Sequence, residues 1–305
     1  MYPEMVKRGY PSDYSTAVQA VGGTLGIIIP PSIVFVIYGS TNGVSISKLL
    51  MSGMLPGILT AVVLCLYGYV VAKKENFPKS FDQFSLKRVL KSLKGAVWAL
   101  MMPLIILGGI YGGIFTPTES AMIACAYGLV VSFFVTKELT VKNFFDVVSK
   151  TAASTANVTV MFLAAQVFGF LIAYYDITTT IANFFVAVSP NWIIFMGLVF
   201  ILLTITGMFM EVGATNVILS PLLAPVAAAF GIDPIHFGMV FVFLLALGQA
   251  TPPFGSTMFI ACGISGERVA AVIRRLLPFV LVEYACALVF AYVPWFSTFL
   301  PSLMA

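Results

Sequence analysis

EVGATNVILSPLLAPVAAAFGIDPIHFGMVFVFLLALGQATPPFGSTMFIACGI, residues 211–264, is the stretch whose reading decides the fold. It is apolar enough for a bilayer, yet two clusters of helix-breaking and polar residues interrupt it. The first is Gly213-Ala214-Thr215-Asn216, the second Gly248-Gln249-Ala250-Thr251-Pro252-Pro253. Non-helical backbone at membrane depth persists only where protein or a water-filled cavity satisfies its freed N–H and C=O groups. Two such breaks, both carrying amide and hydroxyl side chains, predict the walls of one binding site.

Composition points the same way. Hydrophobic residues make up 60% of the 305 and charged residues 9%, where soluble domains carry roughly 25% charged residues, and the mean hydropathy is +1.03. Several apolar runs are long enough to span a bilayer as helices, so the chain reads as an all-α integral membrane protein. Met1–Tyr14 is polar and has none of the apolar core of a cleavable leader. Cys65, Cys125, Cys262 and Cys286 sit singly in apolar runs, and with one histidine they form no zinc pattern. No basic surface with interleaved aromatics suggests a nucleic-acid partner.

Basic residues set the orientation. Lys73–Lys94, KKENFPKSFDQFSLKRVLKSLK, has seven basic and two acidic residues, with Phe81, Phe84, Leu86, Val89, Leu90 and Leu93 at near-helical spacing. It predicts an amphipathic interfacial helix on the cytoplasmic side. Asp13–Gly39, broken at Gly22-Gly23 and at Ile29-Pro30-Pro31-Ser32, then runs outward, and Leu49–Ala72 returns. Gly95–Thr116 goes out, Thr116-Pro117-Thr118-Glu119 turns, and Ser120–Thr136 comes back to Lys137, Lys142 and Lys150. Thr151–Tyr175 goes out to Asp176. Arg268, Arg274 and Arg275 mark another cytoplasmic loop, so an even number of crossings separates Lys150 from Arg268. That parity is met if Trp192–Gly231 is a re-entrant hairpin turning at Gly213–Asn216 and leaving at Gly231-Ile232-Asp233. Leu276–Pro294 then ends with the C-terminus in the periplasm.

The chain also repeats itself. Pro3, Gly9, Gly26, Pro30 and Pro31 recur at one constant offset as Pro225, Gly231, Gly248, Pro252 and Pro253. The two copies run through their Pro-Pro breaks in opposite directions, and inverted repeats with broken helices are a mark of secondary transporters. The counterpart of the hairpin tip would precede Met1. The first repeat is therefore expected to lack its N-terminal part, with a separate N-terminal polypeptide as one way to complete it. The expected organisation is 1–47 (end of a first hairpin and a broken helix), 48–150 (scaffold helices, with the amphipathic segment 73–94), 151–190 (a scaffold helix and arm), 191–264 (second hairpin and broken helix) and 265–305 (a last scaffold helix).

GGTLGIIIPPSIVFVIYG (22–39), PLIILGGIYGGIFTPTES (103–120), GIDPIHFG (231–238) and ATPPFG (250–255) together resemble the large membrane subunit of tripartite ATP-independent periplasmic (TRAP) transporters, the DctM/SiaM family. The resemblance covers essentially the whole chain. It implies a divalent-anion/sodium-symporter-like fold in which a transport domain moves as an elevator against a scaffold. It also implies a bacterial inner-membrane location and sodium as the coupling ion, with no other cofactor. The implied partners are a small membrane subunit and a periplasmic binding protein that delivers a C4-dicarboxylate, sialic acid or similar organic acid. This chain departs from the pattern with Leu244-Leu245-Ala246 where members usually place an asparagine, and with Glu211 where Asp is commoner.

Breaks free backbone carbonyls for a cation and present half-helix N-termini to an anion. Gly213, Thr215 and Asn216 are expected to face Gly248, Gln249 and Thr251, and the resemblance implies that these form one sodium site. Asn216, Thr251 and Pro252 would reach the substrate. In the first copy Gly23, Thr24, Gly26 and the carbonyls near Ile29 would supply half of a second sodium site, with Ser32 capping the next half-helix or meeting a carboxylate. Glu211 is expected to hold the tip by accepting backbone N–H bonds, Glu119 to cap a helix start, His236 to cap the span after Pro234, and Glu283 to pair with Arg274 or Arg275. Proton coupling and a non-transporting scaffold are the alternatives. An intramembrane protease fits poorly, because Ser265 of Gly263-Ile264-Ser265-Gly266 and His236 fall at opposite faces.

Overall fold

A computed structural model describes residues 1–78 and 85–304, and every regular element among them is helical. Contacts divide the chain into two units, Met1–Ser80 with Ala165–Ala305, and Phe81–Ala164. Among the described residues, six apolar helical stretches are long enough to cross a bilayer: Ser12–Asn42, Ile46–Lys74, Val89–Tyr111, Pro117–Val135, Trp192–Phe209 and Val212–Ala229. The protein is therefore a multi-pass membrane protein.

The larger unit opens with the short helix α1 (Tyr2–Lys7), then α2 (Ser12–Ile28), α3 (Ile33–Asn42) and α4 (Ile46–Lys74). Pro30 and Pro31 have no N–H and exclude the helical geometry of the residue before them, so α2 stops at Ile28. It runs unbroken through Gly22 and Gly23, which were expected to interrupt it; a helix tolerates glycine at about 1 kcal/mol each, whereas proline stops it. Gly43, left-handed at φ 66°, ends α3.

The smaller unit holds α5 (Leu86–Tyr111), α6 (Pro117–Val130, continued by a π-helical turn over Val131–Val135) and most of α7 (Val141–Tyr174). Of the expected interfacial segment 73–94, Lys73 and Lys74 end α4, and Leu86, Val89, Leu90 and Leu93 lie in the first turns of α5. Phe81 and Phe84 lie outside the described residues. Thr116 and Glu119 cap α6 reciprocally, Thr116 N donating to Glu119 Oε2 at 2.8 Å.

The larger unit resumes with α8 (Ile177–Val188), α9 (Trp192–Phe209), α10 (Val212–Ala229), α11 (Pro234–Gly248), α12 (Ser256–Ser265), α13 (Val269–Tyr292) and α14 (Trp295–Ser302), with a 64° bend between the last two. Asn191 caps α9 through Ile193 N and Ile194 N, and Asp233 caps α11 through Ile235 N and His236 N. Asp233, not His236, is thus the cap. The His236 ring instead ties α11 to α14 through Ser297 Oγ at 2.7 Å, and meets the Ala291 carbonyl at 3.1 Å.

Helix α11 is the centre of this unit. Every residue from His236 to Gly248 is buried, the pattern of a helix apolar on all sides and surrounded by others. It packs on α9, α10, α13, α2, α4 and α3. With 15 and 10 residues, α11 and α12 are about 22 and 15 Å long, so neither alone crosses a core of about 30 Å. The element order α2–break–α3–α4 recurs as α11–break–α12–α13, at the same offset that carries Gly9 to Gly231, both of positive φ.

Candidate functional site

The first break begins where helix chemistry fails. The carbonyls of Gly26 and Ile27 would normally accept from the N–H groups of residues 30 and 31, and both are prolines. Helix α4 approaches this break through two glycines: a Cβ at Gly53 would lie 2.6 Å from Ile28 O, and one at Gly57 2.5 Å from Ile29 Cγ1. The Pro30–Pro31 bond is cis. Ser32 precedes α3 without capping it, and its buried Oγ has no hydrogen-bond partner among the described residues. Two residues on, the Val34 carbonyl accepts from Asn216 Nδ2 at 2.9 Å. Asn216 is fully buried, and its Oδ1 is also without a partner among the described residues.

That bond lies in the second turn of α10. The turn after α9 lies at Met210-Glu211, and Gly213–Asn216 are already helical. The expected tip is therefore displaced by about one helical turn. The cause is Glu211, whose carboxylate accepts from Ala214 N at 2.9 Å and closes the first turn of the helix. Thr215 Oγ1 donates back to Glu211 O at 2.9 Å, within its own helix.

The second break is more fully bonded than the first. Gln249 Nε2 donates to Gly207 O at 3.1 Å and Met210 O at 2.9 Å, carbonyls that α9 leaves open at its end. The Ser256 hydroxyl donates to Gln249 Oε1, and Thr257 reaches Gln249 O from its N at 3.0 Å and its Oγ1 at 2.7 Å. Thr251 Oγ1 donates to Leu247 O at 2.7 Å and lies 3.1 Å from Tyr284 OH. Gly248 lets α11 touch α9 backbone to backbone: a Cβ there would lie 2.5 Å from Gly207 Cα. The Pro252–Pro253 bond is cis; Pro252 is half-buried and Pro253 exposed.

The expected partners are thus rearranged. Asn216 reaches the first break at Val34, and Gln249 holds the end of α9, while Thr251 faces Tyr284 of α13. Thr24 is buried, with Oγ1 2.6 Å from Glu283 Oε1. Gly23 and Gly26 are exposed on α2, and Ile29 is half-buried. Glu283 does not pair with Arg274 or Arg275; Arg275 bonds Asp13 at 3.0 Å and also Glu75. Ser256, Thr257, Tyr284 and the Val34 carbonyl were not singled out from the sequence. Of these, only Ser256 and Thr257 carry a local signal, as hydroxyls directly after a helix break.

Residues 1–296 match the family described as "Tripartite ATP-independent periplasmic transporter, DctM component". The chain is 40% identical over 292 residues to the isethionate TRAP transporter permease protein DctMQ of Oleidesulfovibrio alaskensis, covering 96% of this chain and 46% of that protein. It is 35% identical over 320 residues to the C4-dicarboxylate TRAP transporter large permease protein DctM of Vibrio cholerae, with 98% and 70% covered. To the sialic acid TRAP transporter permease protein SiaT of Haemophilus influenzae it is 33% identical over 296 residues, with 97% and 48% covered. The chain therefore spans between about half and seven-tenths of these relatives.

Proposed function

This chain belongs to the DctM-component family of tripartite ATP-independent periplasmic transporters, and from that premise we propose that it acts in the large permease of a sodium-driven organic-acid importer. Its substrate is a small carboxylate or sulfonate, the class named for its relatives as C4-dicarboxylate, sialic acid and isethionate. A small membrane subunit and a periplasmic binding protein complete the transporter.

One observation carries the reading. Among the described residues Ser32 Oγ and Asn216 Oδ1 are buried and unpartnered, and Asn216 Nδ2 bonds the Val34 carbonyl two residues beyond Ser32. Buried polar atoms are nearly always bonded, so an orphan on each side of the contact between the first break and α10 suits a ligand that arrives from elsewhere. The carbonyls of Gly26 and Ile27, whose helical donors are replaced by Pro30 and Pro31, add uncharged oxygens of the kind a hard cation takes, and the N-terminus of α3 favours an anion. Gly213, Thr215, Gly248, Gln249 and Thr251 then shape the second half of the site. The two repeats lie inverted in the membrane, α9 and α10 form a periplasm-opening hairpin, and transport proceeds by elevator movement.

The test is uptake into proteoliposomes holding the complete permease with its small subunit and binding protein. Uptake of labelled organic acid should require an inward sodium gradient and survive dissipation of the pH gradient. Ser32→Ala and Asn216→Ala should each lower it about tenfold or more, the scale of one lost hydrogen bond to a charged group. Uptake driven by the pH gradient alone would favour proton coupling, and uptake indifferent to both substitutions would remove the site.

A further inference from the structure

Glu283, on α13, is fully buried. Its Oε1 lies 2.6 Å from Thr24 Oγ1 on α2, and among the described residues its Oε2 has no hydrogen-bond partner. Among the described residues no ion pair includes it. The nearest basic residue on its own helix is Arg275, about 12 Å along the axis and bonded to Asp13 and Glu75. A buried carboxylate with neither a countercharge nor a full set of donors is costly to fold around, and such groups are found paired or on metal ions.

The hydroxyl beside it is over-subscribed. Thr24 Oγ1 lies 2.7 Å from the Val21 carbonyl as well as 2.6 Å from Glu283 Oε1. A hydroxyl has one proton, so two acceptors compete for it. With the proton directed to Val21 O, the lone pairs of Thr24 Oγ1 and of the carboxylate face one another. A cation shared between them removes the conflict, and it also gives Oε2 a partner.

We propose that Glu283 and Thr24 form a carboxylate-containing sodium site between α2 and α13. The inference rests on the sodium-coupled reading above and adds a charged ligand to it. All the donors are oxygens, as sodium prefers over softer ligands. Thr24 lies six residues, about 9 Å of helix rise, before Pro30, which places the site on α2 ahead of the first break. The carboxylate also changes the charge balance. A site of carbonyls and hydroxyls alone carries the ion's full charge through the membrane interior, whereas the Glu283 site with sodium bound is neutral.

The test is sodium-dependent stability of the full-length permease in detergent micelles, with choline chloride holding ionic strength constant, alongside equilibrium binding of radioactive sodium. The wild-type melting temperature should rise with sodium. Glu283→Gln should raise the sodium needed for half the effect about tenfold or more, the scale on which metal-site support is lost, and should bind one sodium fewer. Thr24→Val should weaken the response and Thr24→Ser should keep it, a pair that decides the matter alone if Glu283→Gln does not fold. An unchanged half-maximum and stoichiometry in Glu283→Gln and Thr24→Val would overturn the site; a carboxyl that permanently carries a proton would behave so. Wild-type protein with no sodium response would overturn the sodium reading itself, so the two failures are distinguishable.

Discussion

Gln249 shows how a polar residue becomes structural inside a membrane. Its Nε2 satisfies two carbonyls at the end of α9, Gly207 O and Met210 O, and its Oε1 accepts from Ser256. Every polar atom of the side chain is engaged, unlike those of Asn216 and Ser32. That contrast separates a residue that closes the fold from residues that leave it open to a ligand. Gln249→Leu should accordingly destabilise the protein by about 1–3 kcal/mol, because buried acceptors lose their donor. Thermal unfolding in detergent would read this as a lower melting temperature. A melting temperature equal to wild type would mean that water already serves those carbonyls.

At the scale of elements, the start of α10 depends on Glu211. Its carboxylate bonds Ala214 N and it is exposed, so its role in the resting fold is that of a cap. Glu211→Ala should cost about 1 kcal/mol, and Glu211→Asp should restore most of it, since aspartate caps at least as well. Equal melting temperatures for all three proteins would show that packing against α3 alone fixes the helix start. The same element shows what could be read from the sequence. Pro30-Pro31 and Pro252-Pro253 were legible as breaks because proline removes a donor wherever it stands. Gly22-Gly23 and Gly213–Asn216 were misplaced because glycine and small polar residues permit a break without requiring one, and here neighbouring caps and packing extend the helices through them. The Thr24–Glu283 and Asn216–Val34 contacts join residues far apart in the chain. No local pattern encodes such pairs, so the site's residue types were legible and its pairings were not.

For the whole molecule, the outstanding question is direction. The recurrence of α2–break–α3–α4 as α11–break–α12–α13 makes two comparable halves, and alternating access at a shared site needs them opposed in the membrane. The basic residues supply that orientation. Lys73 and Lys74 close α4, and Arg268, Arg274 and Arg275 begin α13, so the positive-inside rule predicts that both places are cytoplasmic. In the orientation proposed above, helix α13 runs outward and carries α14 to the periplasm. In a protein whose four cysteines are replaced by alanine, single cysteines at exposed positions can be probed with a membrane-impermeant maleimide on intact cells. Thr179→Cys, after the turn at Asp176, and Ser302→Cys, at the end of α14, should label at once. Lys74→Cys and Arg268→Cys should label only after the membrane is opened. Labelling of Lys74→Cys and Ser302→Cys from the same side would break the opposition of the two halves, and with it the geometric basis for alternating access around Ser32 and Asn216.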